Sequence, residues 1–285
     1  MTMTPTVSVL GLGIMGSAMA HRVAGAGLPT TVWNRSAARA EAFRGVAAVA
    51  NTPDSAVAGA DIVLTMLFDA EAVRTVMAAA LPAMRPGAIW LQCSTIGVEA
   101  ARELAGLAGA AGVRFVDAPV LGTKAPAQAG TLTTLVAASD AILAEVQPVL
   151  AATSAKVVRA GVEAPAASAL KLAMNAWIAT ITAGIAQSLA IASRLGLDPE
   201  LVLESLRGGA ADSPYAHLKG GAMLAGGFDP QFELVGLLKD VRLARAAVPE
   251  LPQELLAALD ALYGAAADGG AAHEDIAAVW RAFQG

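Results

Sequence analysis

The chain has 285 residues and a formal net charge of −5, with 15% charged and 56% apolar side chains. Aromatic residues make up only 4% and glycine fills 28 positions, so a core must be assembled from small aliphatic side chains around many tight turns. This composition excludes intrinsic disorder, the acidic balance argues against a nucleic-acid partner, and a single cysteine, Cys93, supports neither an internal disulfide nor a thiolate metal centre.

Met1 to Leu10 lacks the basic start and the cleavage site of a secretory leader, so the expected location is the cytoplasm. From there strand and helix signals alternate. Thr6–Leu10 reads as a strand, Ile14–Ala26 as a helix, Thr30–Trp33 as a strand, and Ser36–Arg44 as a helix with Ser36 as its N-cap. Asp61–Leu67 is a continuous apolar run, as expected of a strand buried on both faces. Asp69–Ala79 follows as a helix, Ala88–Gln92 as a strand, Val98–Ala111 as a helix and Val113–Asp117 as a strand. Thr131–Ala137 and Lys156–Val158 are the last strands, with the helix Asp140–Leu150 between them. The alternation predicts a parallel, doubly wound α/β sheet covered by helices.

After Val162 the strand signals stop. Glu163–Leu195 reads as one long helix, followed by helices at Pro199–Leu206, Glu233–Ala247, Pro252–Ala266 and Glu274–Ala282. Asp198 before Pro199 is a helix-start signal. The expected domains are residues 1–162, α/β, and residues 163–285, all-α, joined by the long helix. Within that helix, Leu172–Ser193 carries no charge and is long enough to span a bilayer. Its Asn, Gln, Ser and Thr residues favour a buried helix in a soluble protein instead. Its apolar faces predict a homodimer or homotetramer through the helical domain.

The strongest local motif is Gly11-Leu12-Gly13-Ile14-Met15-Gly16, directly after the first strand and opening the first helix. This is the context of a dinucleotide-binding loop. Gly11 permits the turn, Gly13 the approach of a pyrophosphate to the helix start, and Gly16 close helix–strand packing. The second strand ends in Asn34-Arg35-Ser36, with no acidic residue to bind the ribose hydroxyls of NAD. Asn34 and Ser36 can donate to a phosphate and Arg35 adds charge, which favours NADP, with NAD as the alternative. A solvated Arg35 beside a simple helix cap is the bland reading of the same residues.

Lys171 and Asn175 are four residues apart and share a helix face. A lysine in an apolar site can titrate nearer neutrality and exchange a proton with a reacting oxygen. Read alone, the pair fits equally a snorkelling lysine beside a loop-bonded asparagine. Lys239, in Leu238-Lys239-Asp240, reads by itself as part of a charged helix face. His21, His217 and His273 form no metal spacing and have no acidic partner that the sequence identifies, and no metal is expected.

Several of these motifs, in this order, resemble the β-hydroxyacid dehydrogenases, the group of 3-hydroxyisobutyrate dehydrogenase and the glyoxylate/succinic semialdehyde reductases, related to 6-phosphogluconate dehydrogenase. GLGIMGSAMA (Gly11–Ala20), TMLFDAEAV (Thr65–Val73), CSTI (Cys93–Ile96), DAPVLGTKAPAQAGTL (Asp117–Leu132), GVEAPAASALKLAMN (Gly161–Asn175), KDVRLA (Lys239–Ala244) and the ending HEDIAAVW carry the resemblance across essentially the whole chain. It implies a Rossmann-type domain and hydride transfer between a nicotinamide cofactor and a small hydroxy, keto or aldehyde acid. It implies Lys171 as general acid/base and Asn175 as a substrate-orienting group. Met66 and Leu67 would lie along the adenosine half, Thr95 and Lys239 at the nicotinamide end, and Phe232 and Asp240 at the substrate pocket. The substrate carboxylate would meet the loop after Val120. There the sequence departs from the family's Ser-Gly-Gly or Ser-Gly-Ser, having Leu121-Gly122-Thr123, so a serine hydroxyl is missing. The Asn34–Ser36 turn and the KAPAQAGTL stretch look more like the glyoxylate/succinic semialdehyde branch than the NAD-dependent 3-hydroxyisobutyrate branch. Imine reductases share the plan but usually carry Asp or Tyr in place of Lys171. A non-catalytic nucleotide-binding module is the rival from another class.

Overall fold

A computed structural model describes residues 4–284, so the first three residues of the Met1–Leu10 segment lie outside it. The chain divides into two compact units, one ending at Lys171 and the other beginning at Leu172. The first unit contains strands β1 (Val7–Leu10), β2 (Thr30–Trp33), β3 (Ala48–Val49), β4 (Ile62–Thr65), β5 (Ile89–Gln92), β6 (Arg114–Asp117), β7 (Val120–Leu121), β8 (Leu132–Ala137) and β9 (Ser154–Gly161). Its helices are α1 (Ile14–Gly25), α2 (Ala37–Glu41), α3 (Pro53–Val57), α4 (Ala70–Ala80), α5 (Val98–Ala110), α6 (Lys124–Ala129) and α7 (Asp140–Thr153). The described residues form a nine-stranded sheet ordered β3-β2-β1-β4-β5-β6-β8-β7, with β9 pairing β8.

Strand periodicity explains why both faces are covered. Val7, Val9, Ile62, Leu64, Ile89 and Leu91 point into one core with α1 and α7. Their neighbours Leu10, Val63 and Trp90 point into the other, with α3, α4 and α5. All four residues of β4 are buried, in keeping with the continuous apolar run.

The fold class is the doubly wound one expected, with one correction. The sheet is not parallel throughout, since β8 runs antiparallel to β6 and to β7. The segment between β6 and β8 holds only the two-residue β7 and a six-residue helix. It lacks the full crossover helix by which parallel neighbours are usually joined.

Helix α8 (Ala166–Arg194) runs across the junction between the units. By length and composition it is the one helix among the described residues apolar enough to cross a membrane. Within the second unit its Ala179, Ala183, Ala186 and Leu189 are buried in the helical core. That core also holds α9 (Glu200–Leu206), α10 (Pro214–Ala225), α11 (Leu234–Ala247), α12 (Glu254–Ala266) and a closing 3-10 helix, Ile276–Phe283. The Tyr263 hydroxyl donates to the Ala179 carbonyl at 3.1 Å, tying α12 to α8. The helix expected at Glu274–Ala282 is a 3-10 helix over Ile276–Phe283, capped by Asp275.

Ser36 stands at the cap of α2, but its side chain makes no capping bond. Asp198, by contrast, accepts from Glu200 N–H at 3.0 Å, as the Asp-Pro signal requires. Helix α10 was not expected because Gly220-Gly221 interrupts it. Gly220 lets α10 approach Leu203 closely, since a Cβ there would lie 2.8 Å from Leu203 Cδ2.

Candidate cofactor cradle and acid–base site

The glycine loop joins β1 to α1. Gly11 has φ of +101°, and a Cβ on it would stand 2.4 Å from the Met66 carbonyl oxygen and 2.7 Å from Leu67 Cδ2. A Cβ on Gly16 would come within 2.0 Å of the Gly11 oxygen. The two outer glycines are therefore demanded by packing alone. Gly13 differs, because a Cβ there would meet nothing within 4 Å. It caps α1 without a side chain, so no side-chain oxygen caps the first-turn N–H groups. Such a helix start suits an anionic pyrophosphate. The cradle thus fits a dinucleotide, with Gly11 to Gly16 as the residues that would hold it.

Neighbouring loops are tied to this cradle by side chains. Asn34 Oδ1 accepts from Leu12 N–H at 2.9 Å, and its Nδ2 donates to the Ser36 carbonyl at 3.2 Å. Asn34 thereby locks the turn after β2 onto the glycine loop. Arg35 is exposed and has no hydrogen-bond or ion-pair partner among the described residues. Asn34 and Arg35 border a cavity of about 150 Å³ whose single lining carboxylate, Glu41, is bonded to Arg44. Met66 and Leu67 are half-buried against Gly11. Ser94 Oγ accepts from Leu67 N–H at 2.8 Å, joining the loop after β4 to the loop that carries Thr95. Ser94 is itself held by Gln92, whose Oε1 accepts from Ser94 N–H at 2.8 Å and whose Nε2 donates to the Ser94 carbonyl at 2.8 Å. Thr65 and Trp90 complete this buried network. Cys93, beside it, is buried, and burial pushes its thiol pKa up.

Lys171 and Asn175 are both buried on α8, with relative exposures of 7% and 2%. Asn175 Nδ2 donates to Asp240 Oδ2 at 2.5 Å, and Lys239 Nζ donates to Asp240 Oδ1 at 2.5 Å. A carboxylate only accepts, so Asp240 dictates that Asn175 presents its NH₂ on that side. Phe232 is half-buried and covers Gly236, where a Cβ would lie 3.0 Å from Phe232 Cε2. In the first unit, Leu121 packs with Ala166 and Leu170 around Ala167. Gly122 has φ of +125°, and a Cβ there would meet Leu132 Cδ2 at 2.7 Å. Thr123 precedes α6 without making a capping bond.

Two groups escaped sequence reasoning. The Lys219 ammonium and Asp275 carboxylate form a buried pair at 2.7 Å. Asp275 also accepts from Gln231 N–H (3.1 Å), Phe232 N–H (3.3 Å) and Ala277 N–H (3.0 Å), so it anchors the backbone of Phe232. The second is the acidic partner of His217, which is Asp212 at 2.6 Å at the start of α10. No group of three or more His, Cys, Asp or Glu side chains able to hold a metal occurs among the described residues.

Two family models match the chain. One is described as the NAD binding domain of 6-phosphogluconate dehydrogenase and covers residues 6–161. The other is described as NAD-binding of NADP-dependent 3-hydroxyisobutyrate dehydrogenase and covers residues 165–283. The chain is 30% identical over 287 residues to glyoxylate/succinic semialdehyde reductase 2, chloroplastic, of Arabidopsis thaliana, an alignment spanning 99% of this chain and 80% of that protein. It is 35% identical over 214 residues to a probable 3-hydroxyisobutyrate dehydrogenase of Mycobacterium tuberculosis, spanning 74% of this chain and 72% of the other. A solved structure of Mycobacterium tuberculosis 3-hydroxyisobutyrate dehydrogenase with L-serine superposes with a TM-score of 0.90 at 29% identity, covering 99% of this chain and 100% of that one.

Proposed function

The chain belongs to the β-hydroxyacid dehydrogenase family and is an NAD(P)-dependent oxidoreductase; from that premise we propose that it prefers NADP and acts on a small aldehyde or keto acid of the semialdehyde/glyoxylate type, or on the corresponding hydroxy acid. The observation that carries the reading is the buried Lys171 with Asn175 on the same helix, the Asn175 amide being fixed by Asp240.

The bound cofactor supplies or accepts the hydride. The protein's share is position and protons. In reduction, Lys171 gives a proton to the carbonyl oxygen as the alcohol forms, and in oxidation it takes that proton back. Asn175 hydrogen-bonds the substrate and holds the reacting oxygen toward Lys171. Asp240 bonds both the Asn175 amide and the Lys239 ammonium, and the family resemblance gives Lys239 the role of closing the pocket. Phe232 supplies an apolar wall. With Leu121 occupied in apolar packing, carboxylate recognition passes to the Gly122 N–H and the Thr123 hydroxyl.

Arg35 supports the NADP preference. It is an exposed cation with no competing partner among the described residues, beside an asparagine already fixed onto the glycine loop. Exposed Trp177, Ile191, Leu195 and Leu201 support association through the helical unit as a homodimer or tetramer. Replacing Lys171 by Met tests the acid–base role. Turnover should collapse while NADPH affinity holds, whereas retained turnover would remove Lys171 from the chemistry.

A further inference from the structure

The fully buried carboxylate of Asp117 has no part in the roles above, yet it holds the helix that carries Lys171. Asp117 ends β6. Its Oδ2 accepts from the Ser168 backbone N–H at 2.8 Å, and its Oδ1 accepts from the Ser168 hydroxyl at 2.6 Å. The Ala167 N–H supports the same carboxylate, while burial pushes its pKa up. These donors belong to the first turn of α8, where helix geometry leaves N–H groups without internal partners. Ala166, Ala167 and Leu170 seat the same turn by packing with Leu121 and Leu135.

Apolar packing is non-directional and leaves a helix room to rotate or slide. Two short bonds from a single carboxylate to one residue remove that freedom. Ser168 lies three residues before Lys171 and so on the same side of the helix, and a shift of its turn passes directly to the lysine. A buried carboxylate is costly to desolvate, and an apolar residue would fill the space without that cost. What the carboxylate adds is fixed geometry.

We propose that Asp117 is a positioning residue which, acting through Ser168, sets the placement of Lys171 on the first turns of α8. The proposal rests on the reading of Lys171 as the general acid/base. Its test uses the full chain with NADPH and succinic semialdehyde, comparing D117A, D117N and S168A with K171M. D117A and S168A should lower kcat by about 10- to 100-fold, the scale of a sub-ångström to ångström misplacement. NADPH affinity should stay near that of the parent chain, a split that a general loss of structure would not produce. D117N should recover most of the loss. Its amide oxygen can accept from Ser168 N–H and its amide nitrogen can donate to the Ser168 hydroxyl.

Parent-like kcat in D117A and S168A, with K171M inactive, would overturn the proposal and leave the lysine reading standing. Failure of D117N to improve on D117A would also overturn it. If K171M turns over normally, the lysine reading fails first and the proposal falls with it. Should D117A not fold, S168A decides, because it keeps the backbone bond to Asp117 and loses only the hydroxyl.

Discussion

Gly13 and Gly16 lie three residues apart in one loop, yet alanine should act on them in opposite ways. At Gly16 the new Cβ would sit 2.0 Å from the Gly11 oxygen and 3.3 Å from Met66 Cβ. The nearest contact is backbone, so relief requires helix and strand to separate. Overpacking of this kind costs about 1–3 kcal/mol. In a chain of this size that lowers Tm by about 2–12 °C. At Gly13 the Cβ meets nothing within 4 Å, and φ of −70° suits any residue. The gain from a stiffer unfolded chain, about 0.4–1 kcal/mol, is offset by alanine being a poorer N-cap than glycine. Stability should therefore stay within about 0.5 kcal/mol of the parent. The methyl would instead stand where the pyrophosphate approaches. Loss of one charge-assisted bond, about 1.5–3 kcal/mol, weakens NADPH binding by roughly 10- to 100-fold. Thermal melts without cofactor and calorimetric titration with NADPH separate the two effects. A G13A variant that binds NADPH as tightly as the parent would refute the assignment of this loop to the pyrophosphate. A G16A variant with parent-like Tm would refute the packing argument.

Two further outcomes follow from buried polar groups. D275A leaves the Lys219 ammonium buried beside three N–H groups that have lost their acceptor, and should cost about 3–5 kcal/mol. K219M leaves Asp275 with those three donors and should cost less. Equal losses in chemical denaturation would show that the backbone bonds contribute little. S94A removes the acceptor of Leu67 N–H, a cost of about 1–3 kcal/mol. It should weaken cofactor binding while kcat at saturation is kept, and an unchanged Kd would mean that the two loops hold their places without Ser94.

The glycine loop, β4 and the shared helix face of Lys171 and Asn175 were legible because each rests on local pattern, whereas a role for that pair came only from the family resemblance. Gly11–Gly16 follows an apolar strand, Ile62–Leu67 is apolar apart from Thr65, and the lysine and asparagine are one helical turn apart. Short elements were less visible. Helix α3 has five residues, though Thr52 and Ser55 form a capping box and Pro53 begins it. Helix α10 carried a Ser213-Pro214 start signal, masked by a glycine pair of which Gly220 packs closely against Leu203. The reversal of β8 was hidden because Lys124–Ala129 reads equally as loop or helix. Asp117 with Ser168 is separated by 51 residues and Lys219 with Asp275 by 56. No periodicity announces such pairs, since the topology brings them together. Leu121 illustrates the same limit, for its identity showed that a serine was missing but not that it packs against the start of α8.

The most direct test of the account is the steady-state reduction of succinic semialdehyde and glyoxylate by the purified chain, with NADPH and NADH compared under the same conditions. Turnover of a semialdehyde is expected, with a higher kcat/KM for NADPH than for NADH. Tight NADPH binding with no turnover of either acid, or a clear preference for NADH, would contradict it.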